Sequence, residues 1–105
     1  MTPLKTAFNP GQIVATAGAA AALAVLARTL ETKTEQIASA LLRRHLAGDW
    51  GDVDDEDKAM NDAALVDGSR LLSAYHVGDS QTPIKFWIIT EADRSFTTLL
   101  LPSEY

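Results

Sequence analysis

Hydrophobic positions change period along this chain. In the last third they alternate or run continuously, as strands do. Arg70-Leu-Leu-Ser-Ala-Tyr-His-Val77, Ile84-Lys-Phe-Trp-Ile-Ile-Thr90 and Phe96-Thr-Thr-Leu-Leu-Leu101 read as three consecutive strands. In the second, Phe86 and Ile88 point one way while Trp87 and Ile89 point the other, so a central strand covered on both faces is expected. Gly78-Asp-Ser-Gln-Thr-Pro83 and the tighter Ala92-Asp-Arg-Ser95 supply the turns. Pro102 ends the third strand and suits an edge.

Upstream the spacing is helical. A first helix is predicted from about Ala17 to Leu30, with Thr16 as N-cap and a small alanine face. Thr32-Lys-Thr-Glu35 has the form of a capping box, opening a second helix that aligns Ile37, Leu41 and His45, with Ala38, Leu42 and Leu46 beside them. Arg43 and Arg44 complement its C-terminal dipole, and Gly48 stops it. The acidic run Asp52 to Asp57 opens a third helix, which carries Met60, Ala64 and Leu65 and ends at Gly68. Residues 1–11 read as an irregular arm closing in Asn9-Pro10-Gly11, and Gln12 to Ala15 as a short strand or extended lead-in. The expectation is a single α+β domain over residues 1–105. About three N-terminal helices would pack on a three- to four-stranded antiparallel sheet formed by a C-terminal meander.

Composition narrows the function classes. The 105 residues contain no cysteine, which excludes disulfides, thiol catalysis and Cys-based zinc sites and favours a cytoplasmic setting. A net charge of -5 argues against broad nucleic-acid binding and suits a basic protein partner, such as a nucleic-acid-binding protein. The apolar run Thr16 to Ala27 falls short of the roughly 20 residues that span a bilayer, and Pro10-Gly11 separates it from Lys5. It reads as a buried helix, and no membrane partner is expected.

Several side chains carry candidate chemistry. His45, on the apolar side of helix two, suits a general acid or base, or a core histidine bonded to a carbonyl or to Asp49. Arg70 and Arg94 together would fork around a phosphate or carboxylate, while each alone pairs readily within its own neighbourhood. Tyr75, Thr90, Thr97 and Thr98 are hydroxyl donors and equally ordinary strand residues. Trp50, between two glycines, is a core plug or a binding anchor. Asp52, Asp54, Asp55, Glu56 and Asp57 fail as a calcium loop, because Asp57 stands where glycine is needed and Ala63 where the bidentate glutamate belongs. They fit a solvated helix start that doubles as a contact patch. His76 reads as an exposed hairpin residue. Phosphate-binding glycine loops, Gly-x-Ser-x-Gly elbows and His-Glu-x-x-His pairs are absent, and no metal or cofactor is expected.

The block from Leu42 to Tyr105 resembles a family of small plasmid-related proteins carried by plasmids, phages and integrative elements. The resemblance rests on His45-Leu-Ala-Gly-Asp-Trp-Gly-Asp52, Glu56-Asp-Lys58, Asn61, Arg70-Leu-Leu-Ser-Ala-Tyr75, Trp87-Ile-Ile-Thr-Glu-Ala-Asp-Arg-Ser95, Thr97-Thr-Leu-Leu-Leu-Pro102 and Glu104-Tyr105. It implies a mobile-element setting and no particular chemistry. The first reading is therefore a non-enzymatic accessory protein that binds a partner, as an anti-CRISPR or anti-restriction antagonist would. Helices followed by a meander also resemble the barnase/RelE-like nucleases. That likeness implies a metal-independent ribonuclease using His45, Arg70, Tyr75, Thr90 and Arg94, with nucleic acid as the ligand. An exposed edge at Phe96 to Leu101 would allow a homodimer by strand addition.

Overall fold

The structure is a computed structural model and describes residues 6–105. In chain order it contains β1 (Gln12–Ala15), α1 (Ala17–Thr29), α2 (Thr34–Leu46), α3 (Asp55–Asp67), β2 (Leu71–Val77), β3 (Ile84–Thr90), β4 (Phe96–Leu100) and a short 3-10 turn, Pro102–Glu104. The α+β class stands. Residues 1–5 of the expected arm lie outside the described residues. From Thr6 onward the arm is tied down: the Ala7 N–H donates to the Leu46 carbonyl (2.7 Å), and Phe8 stacks near Trp50.

Local chemistry explains most helix ends. Thr16 Oγ1 accepts from the Ala19 N–H and Asp54 Oδ1 from the Asp57 N–H, each satisfying a free donor of a first turn. Gly68 closes α3 in the left-handed conformation. The capping box expected at Thr32 does not form. The Thr32 N–H donates back to the Ala27 carbonyl and so belongs to the stop of α1. Its hydroxyl meets the Gln36 side chain, which leaves Lys33 as an N-cap without a side-chain bond.

The sheet order is β1-β4-β3-β2, and it is mixed. β2, β3 and β4 form the expected antiparallel meander, but β1 pairs in parallel with β4, Gln12 opposite Phe96 and Ala15 opposite Leu99. This corrects the expectation of an antiparallel sheet built by the C-terminal meander after N-terminal helices: the sheet is mixed, and Gln12 to Ala15, expected as a short strand or an extended lead-in, joins it as a strand ahead of the helices. It also removes the Phe96 to Leu101 edge as a site for strand addition, because β4 lies between β1 and β3. The parallel pairing needs Gly11. Its φ of 65° is in the left-handed region, and a Cβ there would run into the Arg94 and Ser95 carbonyls.

The far edge, on β2, is covered. The Asp52 N–H donates to the Ala74 carbonyl (2.7 Å) and the Ala74 N–H to the Trp50 carbonyl (3.1 Å). Gly51, at φ 74°, allows this approach; a Cβ would strike the Ala74 carbonyl. Beside it the Asn61 amide takes both backbone groups of Leu72, donating to its carbonyl (2.7 Å) and accepting from its N–H (3.1 Å). Unpaired edge groups invite association, and here a two-residue bridge and one side chain occupy them.

Helices α1 and α2 cover one face of the sheet. Leu23, Leu26, Ile37 and Leu41 pack there on Tyr75, Phe86, Ile88 and Leu99. A second cluster joins Trp50, Ala64 and Leu71, with Phe8, Val53 and Leu65 against it. The opposite face has a thinner cover. Ile89 and Leu100 are buried, but Leu72, Trp87 and Thr98 are only partly so. Tyr105 lies edge-on to Trp87, with ring centroids 5.5 Å apart. Among the described residues no helix is long and apolar enough to cross a membrane.

Candidate functional site

The period of α2 that buries Ile37 and Leu41 also delivers His45 to the sheet, where it is fully buried. Its Nδ1 meets Ser73 Oγ of β2, and its Nε2 lies 2.8 Å from Thr90 Oγ1 of β3. Thr90 Oγ1 is 2.8 Å from Thr97 Oγ1, its cross-strand partner on β4. Thr97 Oγ1 donates to the Pro10 carbonyl (2.7 Å). The string therefore crosses three strands and ends on the segment leading into β1.

Its proton directions follow from the far end. A carbonyl only accepts, so the single Thr97 proton goes to Pro10. Thr90 must then give its own proton to Thr97 and accept from His45 Nε2–H. In the neutral ring Nδ1 is then the acceptor for the Ser73 hydroxyl, and the lowered pKa of the buried imidazole is what keeps it neutral near pH 7. Burial pushes the His45 pKa down to about 4, and the charge of Arg94 adds to the effect. Phe8 and Trp50 close the remaining sides of the ring, at centroid distances of 5.2 and 5.7 Å. Among the described residues no buried side-chain nitrogen or oxygen lacks a partner.

The other ribonuclease candidates do not join this cluster on a common surface. Tyr75 is fully buried, its hydroxyl donates to the Asp49 carbonyl, and burial pushes its pKa up to about 12. Arg94 stands near His45 but has Phe8 against it, 5.8 Å from guanidinium to ring centroid. It holds backbone together, donating to the carbonyls of Ser69 (2.7 Å), Ala64 (3.0 Å) and Glu91 (3.1 Å). Those bonds join the end of α3 to the β3–β4 turn, in which Arg94 itself adopts φ 61°. Arg70 turns to the thinly covered face, where its guanidinium donates to Tyr105 Oη and lies 5.3 Å from that ring. The structure thus brings His45 and Thr90 together, sets Arg94 behind Phe8 and sends Arg70 elsewhere. Serine, imidazole and threonine are within hydrogen-bond distance of one another, and all three side chains are fully buried.

The acidic residues are more accessible. Asp55, Glu56 and Asp57 are exposed on the first turn of α3, while Asp54 is spent as its cap. Asp52 pairs with His76, and that bond holds its carboxyl below the usual range. Arg44 does the same for Asp49 through a bond of 2.7 Å. Trp50 is the plug and not the anchor: it is 4% exposed, and its Nε1–H donates to Asp62 (3.0 Å). Ser73, Asn61 and Tyr105 were not singled out as candidates. Ser73 was detectable in principle, since it shares a strand face with Leu71 and Tyr75, where a polar residue needs a buried partner. Comparison with protein-family models, with curated proteins and with solved structures returns no match for this chain.

Proposed function

We propose that this chain is a non-enzymatic accessory protein of a mobile genetic element that works by binding another protein, as an antagonist of a host defence nuclease of CRISPR or restriction type. One observation carries the reading. The polar residues that would serve catalysis are consumed in packing, while the acidic flank of α3 and the thin face of the sheet remain accessible. Met60 is 64% and Val66 91% exposed on that helix, among Asp55, Glu56, Asp57 and Asp62. Acidic surface with exposed apolar side chains suits a basic, nucleic-acid-handling partner. The ribonuclease reading draws on the His45–Thr90 contact, and it requires a scissile phosphate to reach a ring that Phe8 and Trp50 cover.

The test is protection. Cells carrying a defence nuclease are challenged with targeted phage, with and without this chain expressed. Restored plaque formation that is lost in the Asp55→Asn/Glu56→Gln variant supports the proposal. RNA cleavage by the purified protein that disappears in folded His45→Gln, with no protection in cells, reverses it in favour of the nuclease.

A further inference from the structure

α3 is held to the sheet in an unusual way. Of its thirteen residues only Asn61 and Ala64 are buried, and few contacts hold it: the Asn61 amide on Leu72, Arg94 on the Ala64 carbonyl, Trp50 Nε1–H on Asp62, and Ala64 and Leu65 against Trp50 and Leu71. It lies along the β2 edge without covering the sheet. On the side toward the thin face this leaves a groove of about 480 Å³. Met60, Ala63 and Leu72 supply apolar wall, and Asp57 and Asp67 line it as well. Ten residues of helix separate those two carboxylates, roughly 15 Å along the axis. Arg70 also lines the groove, but its guanidinium is taken up by the hydroxyl and ring of Tyr105. Among the described residues neither Asp57 nor Asp67 belongs to an ion pair; Asp67 accepts from Ser69, whose N–H lies 2.8 Å away.

We infer that this groove binds an extended basic segment of a partner protein, with an apolar side chain between two cations. The spacing supplies the pattern. In an extended peptide, residues i, i+2 and i+4 share one face, and i to i+4 spans about 13 Å. Lysine or arginine at i and i+4 then reaches Asp57 and Asp67, and the side chain at i+2 enters between Met60 and Leu72. Charge at the ends sets orientation and partner choice, while the apolar middle supplies buried area. This inference rests on the protein-binding reading and names the recognition element within it.

The probe is the peptide acetyl-Ser-Lys-Ser-Leu-Ser-Lys-Ser-amide, titrated into the nitrogen-15-labelled chain while backbone amide shifts are followed. The expected result is movement of the Met60, Ala63 and Leu72 amides. Affinity should fall at least about tenfold in Asp57→Asn/Asp67→Asn, whose remaining spectrum stays unchanged, and a peptide with glutamate in place of lysine should not bind. Equal binding of the glutamate peptide, unchanged affinity in the double variant, or no shift at millimolar peptide would each overturn the inference. The two readings fail separately. If these shifts are absent while Asp55→Asn/Glu56→Gln still abolishes protection, the groove is wrong and the binding reading stands.

Discussion

The two faces of the sheet solve the same burial problem by different means. Beneath α1 and α2, Tyr75, Phe86 and Ile88 are fully buried, and the one polar string among them has a partner for every group. On the opposite face Ile89 and Leu100 are nearly as buried, yet their surroundings are Trp87, Leu72, Arg70 and a tyrosine that is itself 66% exposed. Among the described residues the helix face leaves no buried side-chain nitrogen or oxygen without a partner. The other face keeps aromatic and charged groups in contact with water. The expectation from this contrast is that stability is concentrated on the first face and that local opening costs less on the second.

The comparison breaks most sharply at His45. His45→Ala opens a cavity and removes the imidazole partner of Ser73 and the donor to Thr90, which keeps only its bond to Thr97, so a loss of about 3–5 kcal/mol is expected, a large part of a small domain's stability. Urea unfolding at neutral pH measures it. The same residue sets a pH signature. Its pKa is about 4 in the fold against 6.5 for a free imidazole. Between those values the unfolded chain binds the extra proton, so stability is complete above about pH 6.5 and declines as pH falls toward 4. The total is roughly 3 kcal/mol. Asp49 and Asp52 act in a lower window: their pKa values are held below 3.8, by Arg44 and His76 respectively, so their contributions are lost only on further acidification. His45→Gln, if folded, removes the slope between pH 6.5 and 4 and leaves the lower one. A slope that persists in that variant would place the titrating group elsewhere.

A smaller effect is expected where α3 meets the edge of β2. Asn61→Leu keeps the volume and leaves the Leu72 N–H and carbonyl unpaired. About 2 kcal/mol is expected, with faster hydrogen exchange at the Leu72 amide. The His45 string, a layer away, should keep its protection. If instead the whole domain loosens equally, α3 is part of the main core and the contrast between faces weakens.

How far the sequence discloses these features depends on the range of the interactions. The Thr16 cap, the Gly68 stop and the central position of β3 were legible, because capping is local and Phe86-Trp-Ile-Ile89 is apolar on both sides of a two-residue period. β1 was legible as a short strand or extended lead-in, without its partner. Four residues carry too little pattern to choose a partner, and theirs is some eighty positions later. The same distance hid the polar string. His45, Thr90 and Thr97 each stood out as candidate residues, but that one imidazole bridges Ser73 and Thr90 depends on how α2 crosses the sheet. The false capping box shows the reverse failure. Thr32 has the right local neighbours, and the C-terminus of α1 claims its N–H first.

The smallest expected effect is also the most direct probe of the thin face. Tyr105 is held by one hydrogen bond from Arg70, that guanidinium over its ring, and an edge contact with Trp87. Exposed cation–π contacts contribute about 0.5–1 kcal/mol, so Tyr105→Ala is expected to cost no more than about 1 kcal/mol. Its spectroscopic effect should be larger than its energetic one. Removing the ring wets Trp87 and moves its emission to the red, while Trp50, enclosed by Phe8 and His45, contributes an unchanged blue component. Arg70→Ala should give the same red shift, and the double variant should add little to either single one, because both residues form one cover. A Tyr105→Ala loss as large as that of His45→Ala would mean that this face is core in its own right. The thinness of its cover, and with it the case for a docking surface beside α3, would then fall.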